Sequence, residues 1–258
     1  MNIAGVEIGS SHPCRVVAEV SGNHNGSKAR AFHLIYAAQQ AGADVVKFQC
    51  YTPAELVALR GDGPAPEPWG AQGWTMRALY EKAQTPHAWF PDLVKHCTEL
   101  GMPWFSSVFG PESLALLESL NCPAYKIARL DNANEPLFSA VIATKKPVII
   151  SAARHQITEW RNVEWLYCPP GYPSLVDWLP MFGEEAVEAY APPHFRGLSS
   201  HCLDPRLPVA AVARGAKLLE YHVQLDDEPS ELEANVSLGQ TALRRMVDDV
   251  RAVEVMVG

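Results

Sequence analysis

Two histidines, His201 and His222, each stand at the end of a short apolar run, at residues 197–200 and 219–221. A helical pattern over residues 205–215 separates the two runs, so we expect neighbouring parallel strands that carry the histidines at the same end. Neutral imidazole is a common ligand of divalent metal ions, and a converging pair therefore predicts a metal site. The alternative is that each histidine caps its own strand through a hydrogen bond to a carbonyl group.

The rest of the chain must supply the strands that position this pair. Strand-like apolar runs recur at residues 15–20, 44–49, 104–109, 124–128, 147–151, 163–168, 196–199 and 217–222. Helical patterns separate most of these runs, and the apolar residues of the closing pattern at 240–256 share one helical face. This alternation over 258 residues predicts an α/β fold, a TIM (β/α)8 barrel that forms a single domain over residues 1–258. A doubly wound open sheet is the alternative, but no glycine-rich phosphate or dinucleotide fingerprint follows the first strand.

Two segments depart from the regular alternation. Residues 52–75 are predicted to form a long irregular loop after the second strand, because residues 61–68 are too rich in glycine and proline for a helix or strand. Loops of this length are usually lids or binding loops. Only residues 157–161 separate the fifth and sixth strands, so that segment is predicted to be shortened. Residues 175–189 form a helix candidate that Pro180 and Gly183 interrupt.

Polar residues cluster at the C-terminal ends of the predicted strands, where TIM barrels carry their chemistry. Reading those ends in order yields Glu19, Lys47, Gln49, Ser107, Lys126, Arg129, Asp131, Ser151, Arg154, Tyr172, Ser199, His201 and His222. The cations Lys47, Lys126 and Arg129, with three of the hydroxyls, can hold a phosphate or a carboxylate. Glu233 can join the histidines at the metal, and Glu19 and Asp131 can transfer protons. A single lysine or serine at such a position is more often structural, so the joint occurrence is what favours a functional site.

Composition limits the kinds of protein and partner. The chain is 48% hydrophobic and 19% charged, which allows a sizeable core, and its net charge of −8 argues against a nucleic-acid partner. The six cysteines are scattered without C-x-x-C spacing, so a zinc ribbon or a redox dithiol is not expected. The sequence carries neither a signal peptide nor an apolar run that could span a bilayer. We therefore expect a cytoplasmic, reduced protein with no membrane partner.

Several short motifs occur in the order found in the sialic acid synthase family, which the chain resembles from about residue 6 to 255. They are Ala18-Glu19-Val20-Ser21-Gly22-Asn23-His24-Asn25-Gly26, Val46-Lys47-Phe48-Gln49, Tyr125-Lys126-Ile127-Ala128 and Gly197-Leu198-Ser199-Ser200-His201. Members of that family include N-acetylneuraminate, legionaminate and pseudaminate synthases. Residues 79–82, with Thr85, Pro86 and Trp89, resemble the pseudaminate branch.

The resemblance implies a transferase of carbohydrate biosynthesis. Such a barrel condenses phosphoenolpyruvate with an N-acetylated aminosugar aldehyde, releases phosphate, and uses a divalent metal, typically Mn or Mg. Expected contacts to phosphoenolpyruvate come from Lys47, Ser107, Lys126, Ser151 and Ser199, and expected metal ligands are His201 and His222. Glu19 and Gln49 are placed near the reacting carbons, Glu233 at a position that faces the sugar, and Asp131 where the family has Glu. Asn23 and Tyr172 lie in family motifs and are expected at the site, and a homodimer is expected.

The chain also departs from the family pattern. Arg129 replaces a serine, Ala152-Ala153-Arg154 stands where the family has Thr-Gly-Met, and Pro169 and Pro170 remove two polar side chains. Family members usually carry a C-terminal antifreeze-like domain that helps to bind the sugar, and this sequence ends at Gly258 without it. The two arginines either compensate for lost contacts or accommodate a more acidic acceptor, so we expect an acceptor other than N-acetylmannosamine.

Two other readings of the same residues stay open. One is a barrel that keeps the fold but has lost catalysis and serves as a binding or scaffold subunit. The other is a different lyase or aldolase on the same scaffold, in which Lys47 or Lys126 forms a Schiff base with its substrate.

Overall fold

The computed structural model describes residues 1–153, 162–174 and 195–257. Two short antiparallel strands open the chain, β1 (Asn2–Ile3) and β2 (Val6–Glu7). Eight parallel strands then close into a barrel, because the last of them pairs with the first. They are β3 (Arg15–Glu19), β4 (Val45–Cys50), β5 (Trp104–Val108), β6 (Tyr125–Ile127), β7 (Val148–Ala152), β8 (Val163–Tyr167), β9 (Gly197–Ser200) and β10 (Leu218–Gln224). A further strand, β11 (Ser237–Gly239), pairs with β10 outside the ring.

Helices occupy most of the connections between these strands. They are α1 (Lys28–Gln40), α2 (Pro53–Arg60), α3 (Met76–Ala83), α4 (Phe90–Leu100), α5 (Pro111–Ser119), α6 (Glu135–Ala143), α7 (Arg206–Ala213) and α8 (Gln240–Val257), with 3-10 turns at Gly70–Gln72, His87–Trp89 and Ala234–Val236. The predicted TIM (β/α)8 barrel is therefore confirmed. The expectations for residues 157–161 and 175–189 lie outside the described residues.

The loop after the second barrel strand is more regular than predicted. Thr52 and Glu55 form a capping box, in which the Thr52 hydroxyl accepts from the Glu55 amide and the Glu55 carboxylate accepts from the Thr52 amide. With proline at the first helical position, these contacts satisfy the free amides of α2. Gly61 then ends the helix at a φ of 89°, which glycine adopts without strain. The expectation of an irregular loop over residues 52–75 was wrong at α2, because the composition of residues 61–68 hid a short capped helix before them.

The barrel strands are buried on both faces, as parallel strands covered by helices must be. All five residues of β5 and all five of β7 are buried. The register sets neighbouring inward residues side by side: His222 pairs with Glu19, Glu19 pairs with Lys47, and Ser107 pairs with both Gln49 and Lys126. Residues far apart in the sequence thereby meet at one end of the barrel.

Gly197 allows β9 and β10 to approach closely. A Cβ atom at this position would lie 1.8 Å from the Leu218 carbonyl oxygen, a separation that no side chain can accept. The glycine therefore sets the spacing of the two strands that carry the predicted histidine pair.

All six cysteines lie in described segments, and all are buried free thiols, as the sequence predicts. Within the described ranges, we find no helix with the length and apolar character needed to cross a bilayer.

Candidate active site

A cavity of about 340 Å³ opens at the C-terminal end of the barrel. Most of the predicted site residues line it, namely Lys47, Gln49, Ser107, Lys126, Arg129, Ser151, Tyr172, Ser199, His201, His222 and Glu233. Glu19 lies beneath this lining, fully buried, and reaches the cavity through Lys47. Asn23 and Asp131 are buried elsewhere, and Arg154 falls outside the described residues. The positions chosen at strand ends therefore converge, as parallel strands of a barrel require.

The floor of the cavity is a buried cluster of two carboxylates and two ammonium groups. Lys47 Nζ lies 2.7 Å from Glu19 Oε2 and 2.9 Å from Glu220 Oε1. Lys126 Nζ lies 2.9 Å and 3.0 Å from the two oxygens of the same Glu220 carboxylate. The four formal charges cancel, which is how charged groups are tolerated in a protein interior.

The pKa values of three residues in this cluster, Glu220, Lys47 and Lys126, are shifted by burial and by their neighbours. Burial alone would raise the pKa of Glu220, but the pairing with Lys126 and Lys47 lowers it well below its usual range. Burial opposes the charge of Lys47, yet Glu19 and Glu220 together raise its pKa. For Lys126, burial outweighs the pairing with Glu220, and the neighbouring charge of Lys47 adds to it, so its pKa is lowered. Lys47 is thus the more firmly charged of the two lysines.

Hydroxyl groups surround this cluster. Lys47 Nζ donates to Ser107 Oγ at 3.3 Å, and Ser199 Oγ donates to Glu220 Oε1 at 2.9 Å. The buried Ser151 hydroxyl has no hydrogen-bond partner among the described residues, although it lines the cavity. A buried polar group without a partner is rare in proteins, so Ser151 is available to a ligand.

The two histidines face each other across the cavity wall. Their ring centroids are 5.2 Å apart, and the Tyr172 ring packs against both, at 4.6 Å from His201 and 6.0 Å from His222. The Tyr172 hydroxyl donates to Glu233 Oε1 at 2.6 Å, while Glu233 Oε2 lies 3.4 Å from His222 Nδ1. The expected convergence of two imidazoles beside a carboxylate is therefore present in the described fold.

The pKa values of the two imidazoles are shifted in opposite directions. Burial, with the neighbouring His222, lowers the pKa of His201 to about 3, which keeps that ring neutral. Burial also opposes protonation of His222, but the Glu233 carboxylate raises its pKa. Burial would raise the pKa of Glu233, but His222 and the hydroxyls of Tyr172 and Ser21 lower it to about 2.

These donors suit a divalent metal in an open site. The Nδ1 atoms of His201 and His222 and the Oε2 atom of Glu233 are buried and lack a well-formed hydrogen bond within the described segments. Neutral His201 and ionised Glu233 have the protonation states that metal binding needs, whereas His222, whose pKa is raised, must be in its neutral form to bind the metal. In the described part of the chain, no three His, Cys, Asp or Glu side chains are grouped so that they could hold a metal ion by themselves. Water or substrate oxygens would have to supply the remaining ligands.

A hydrogen-bonded chain joins the second barrel strand to this wall. Gln49 Nε2 donates to Ser21 Oγ at 2.9 Å, and Ser21 Oγ donates to Glu233 Oε1 at 2.9 Å. Ser21 adopts a positive φ of 46°, which is uncommon for a residue other than glycine and aims its hydroxyl into the site. Gln49 therefore orients Glu233 as well as lining the cavity.

Asn23 is placed differently from its expected role at the substrate. Its side chain is fully buried, and its amide group donates to the Val223 carbonyl at 2.7 Å and to Ser237 Oγ at 3.0 Å. Both partners belong to the pair of strands β10 and β11, so Asn23 ties the loop after β3 to the strand that carries His222. It is absent from the described lining of the cavity.

Asp131 is held by an arginine that sequence reasoning missed. Arg60, at the end of α2, forms a bidentate ion pair with it, with Nε to Oδ1 at 2.8 Å and Nη2 to Oδ2 at 2.5 Å. The guanidinium also lies over the Phe109 ring, 5.4 Å from its centroid, and Arg60 itself lines the cavity. Both oxygens of Asp131 are thus engaged, which leaves this carboxylate poorly placed to carry protons to a substrate.

Arg129 lies at the cavity wall beside Cys168. Burial raises the pKa of the Cys168 thiol, whereas the positive charges of Lys126 and Arg129 lower it in part. Arg129 forms no ion pair with a carboxylate among the described residues, so its charge is free for an anionic ligand.

Glu220, Arg60 and Cys168 are among the cavity residues that were not expected from the sequence. A signal existed for Glu220, because it stands two residues before His222 in one strand and must share its face. The capping box of α2 could have placed Arg60 at a helix end, but its pairing with Asp131 spans 71 residues and leaves no local pattern.

The outer wall of the cavity is apolar. Leu56, Trp69, Met76, Leu79 and Leu232 line it above the charged floor. A ligand in this cavity would therefore place its charged end at the lysines and a less polar part towards the mouth.

Fold and site together define the class: a TIM-barrel protein with a charged pocket and an imidazole pair at the C-terminal ends of its strands. The chain belongs to the NeuB family, whose model matches residues 34–258. The resemblance to sialic acid synthases drawn from its motifs is thereby confirmed.

Known relatives extend over nearly the whole chain. Pseudaminic acid synthase of Campylobacter jejuni subsp. jejuni serotype O:23/36 is 32% identical over 94% of this chain and 74% of its own length. Pseudaminic acid synthase of Helicobacter pylori is 30% identical over 95% of this chain and 76% of its own length. Among solved structures, the spore coat polysaccharide biosynthesis protein SpsE of Bacillus subtilis superposes with a TM-score of 0.79 at 29% identity, covering 100% of this chain and 72% of that one.

Proposed function

We propose that this protein condenses phosphoenolpyruvate with the aldehyde of an N-acylated aldose and releases phosphate, with the help of a divalent metal. The observation that carries the proposal is the arrangement of Lys47, Lys126 and Arg129 within one cavity with His201 and His222. Membership of the NeuB family, whose relatives include pseudaminic acid synthases, supports the same chemistry.

The charged floor would bind the anionic end of phosphoenolpyruvate. The carboxylates of Glu19 and Glu220 already balance the two lysines, so a phosphate must share or displace these pairings. Arg129, which pairs with no carboxylate among the described residues, and the unpartnered Ser151 hydroxyl supply further contacts. Such fixed donors hold the enol in attack geometry and so lower the entropic part of the barrier.

The aldehyde would lie between this floor and the imidazole pair. When a divalent metal is bound at His201 and His222, it supplies Lewis-acid polarisation of the carbonyl oxygen. C3 of the enol forms a bond to the aldehyde carbon, and the aldehyde oxygen takes a proton. Water adds at C2, and the bond between C2 and the phosphate oxygen then breaks as the C2 hydroxyl becomes a ketone. Of the two water protons, one balances the proton taken by the aldehyde oxygen and the other leaves with the phosphate, so the products are a keto acid and hydrogen phosphate. Glu233, whose Oε1 is held by Tyr172 and Ser21, is the ionised carboxylate beside the imidazoles, and its Oε2 is assigned to accept a hydrogen bond that orients the attacking water.

Phosphate release in the presence of phosphoenolpyruvate, Mn²⁺ and a panel of aldoses tests this reaction. We expect release only when both phosphoenolpyruvate and an aldose are present, in a ratio of one phosphate to one new keto acid. Phosphoenolpyruvate labelled with ¹⁸O in the bridging position adds a sharper criterion, because cleavage of the C2–O bond leaves the label in phosphate. Phosphate without label, or release that ignores the aldose, would reject the proposal.

One observation favours a second candidate, a Schiff-base aldolase. The pKa of Lys126 is lowered, chiefly by burial, and a lysine with a lowered pKa is a better nucleophile. Its bidentate contact with Glu220 opposes that role, because the ion pair retains the proton. Borohydride reduction in the presence of pyruvate distinguishes the two, since only the aldolase would gain a covalent adduct at Lys126.

A further inference from the structure

A second cleft, of about 460 Å³, lies outside the charged cavity. Its walls come from the loop before α3 and from residues 230–235, which follow β10. Trp69 and Leu232 line both the cavity and this outer cleft, so the two spaces adjoin across these side chains. Trp74 belongs to the outer cleft alone.

The loop that presents the two tryptophans is closed by its own hydrogen bonds. The Trp69 carbonyl accepts from the amides of Gln72 and Trp74, at 3.0 Å and 3.1 Å, and a bridge between Pro64 and Thr75 joins the loop's base. Gly70 packs against the Ala65 carbonyl so closely that a Cβ atom would lie 2.4 Å from that oxygen. The backbone that carries the two half-buried indoles is therefore ordered before any ligand arrives, which limits the entropic cost of binding.

The polar groups of the cleft carry no net charge. Lys82 and Glu231 form an ion pair across it at 2.7 Å, and the exposed Gln72 and Asn235 add amide groups that both donate and accept. Flat aromatic faces beside amides suit a ring with C–H faces and hydroxyl or amide edges. An anionic ligand such as a phosphate ester would find Lys82 already neutralised.

We propose that this outer cleft binds the distal, uncharged part of the acceptor sugar, while the aldehyde end lies in the charged cavity. The assignment rests on the proposed function, since it deepens the choice of acceptor at the same site. It names the substrate class as a neutral N-acylated aldose, whose far end is not phosphorylated. Trp69 stands at the junction of the two spaces, and Trp74 contacts only the distal part.

The assignment is tested with three N-acetylhexosamines, of the gluco, manno and galacto configurations, and with their 6-phosphates. Both binding and turnover of each sugar are measured. Binding is followed by calorimetry and turnover by phosphate release. We expect Trp74→Ala to raise KM for the neutral sugar at least tenfold, with kcat and the KM for phosphoenolpyruvate within twofold of wild type. Trp74→Phe, which keeps an aromatic face, recovers most of the loss.

A change in the charge of the outer cleft distinguishes a role in binding the sugar from a merely structural role. Glu231→Gln leaves Lys82 unpaired, so we expect the ratio of affinities to shift at least fivefold towards the 6-phosphate. Glu99→Gln is the matched control, because it frees Lys95 from an exposed ion pair on α4, outside the cleft. The control should leave the ratio unchanged.

The outcomes separate this assignment from the proposed reaction. If neither Trp74→Ala nor Glu231→Gln changes the turnover, the outer cleft does not bind the acceptor, whereas the proposed condensation stands. Binding that responds to both substitutions without any release of phosphate would support the cleft and reject the condensation. If the wild-type protein binds none of the neutral sugars, the assignment of the outer cleft to the acceptor is wrong.

Discussion

Lys126 and Glu220 form a buried bidentate ion pair, with the ammonium nitrogen 2.9 Å and 3.0 Å from the two carboxylate oxygens. Both side chains are at least 94% buried, so little water screens their attraction. The same carboxylate also accepts from Lys47 and Ser199. Glu220 therefore occupies the cationic pocket in the way an anionic ligand would, and we expect it to compete with such a ligand.

Replacing Glu220 by Gln should lower stability and strengthen the response to phosphoenolpyruvate. The charge of the four-residue cluster changes from zero to +1, and breaking a buried pair costs roughly 3 kcal/mol of the free energy of unfolding. We expect a lower Tm without ligand, together with a larger rise in Tm on adding phosphoenolpyruvate than in the wild-type protein. Thermal unfolding at fixed ligand concentrations measures both effects.

Glu164→Gln is the matched control for this substitution, because Glu164 pairs with Arg196 at 3.0 Å in a partly exposed position away from the cavity. It should change Tm slightly and leave the response to phosphoenolpyruvate as it was. An equal or smaller ligand response in Glu220→Gln would contradict the idea that Glu220 competes with the ligand.

The pairing of Arg60 with Asp131 should couple the loop after β4 to the barrel. Asp131 is fully buried at its side chain, so Arg60→Met would leave an uncompensated carboxylate and cost roughly 3 kcal/mol. Asp131→Asn and the double variant complete a cycle in which we expect a coupling energy of about 2 kcal/mol. Urea unfolding of the four proteins measures it.

Arg77 and Asp62 provide the control cycle on the same loop. Their ion pair is 3.2 Å long, but both side chains are over a third exposed, so their coupling should be much weaker than that of Arg60 and Asp131. Equal coupling in the two cycles would mean that the burial of Asp131 has no energetic consequence.

The barrel and the strand-end positions could be predicted because they depend on periodicity. A strand buried on both faces leaves an apolar run, and polar side chains that interrupt the run near its C-terminal end mark candidate site positions, as at Gln49 and Ser107. Once the number of strands indicates a barrel, parallel register brings these ends together. His201 and His222 were found in this way, and their centroids lie 5.2 Å apart.

Contacts that depend on long-range pairing could not be predicted. Asn23 lies in a polar cluster after the first barrel strand, yet its amide is used between strands, 200 and 214 residues away in sequence. Asp131 looked free to transfer protons until α2 brought Arg60 to it. For both residues, the role depends on the group to which the side chain bonds. That group is distant in the sequence, so no local pattern predicts it.

The imidazole pair predicts a metal-dependent rise in stability. At Mn²⁺ concentrations about 100 times the Kd, binding to the folded state alone adds about 2.7 kcal/mol. His201→Asn and His222→Asn should each remove most of the Mn²⁺-induced shift in Tm, because each takes away an imidazole donor. His33→Asn, at an exposed position on α1, is the control and should keep the full shift. A wild-type Tm that does not respond to Mn²⁺ would exclude the site.

A buried histidine away from the cavity should make stability depend on pH. His24 is fully buried, and burial, with the nearby Arg30, lowers its pKa to about 4 although Glu233 acts in the opposite direction. Its Nδ1 accepts from the Gly26 amide at 3.1 Å, so protonation there would break that bond. The pKa in the unfolded chain is about 6.5, which means that the unfolded state binds the proton first as pH falls.

The contribution of His24 is therefore complete above pH 6.5 and is lost as pH falls from 6.5 towards 4. Between pH 7.5 and pH 4.5 we expect a loss on the order of 2 kcal/mol from this residue. In His24→Gln the corresponding change should be smaller by that amount, because glutamine does not titrate in this range. Urea unfolding of both proteins across this pH range isolates the contribution of His24. His201 also titrates, but it is present in both proteins, so its contribution cancels. Parallel pH profiles for the two proteins would show that His24 does not carry the dependence.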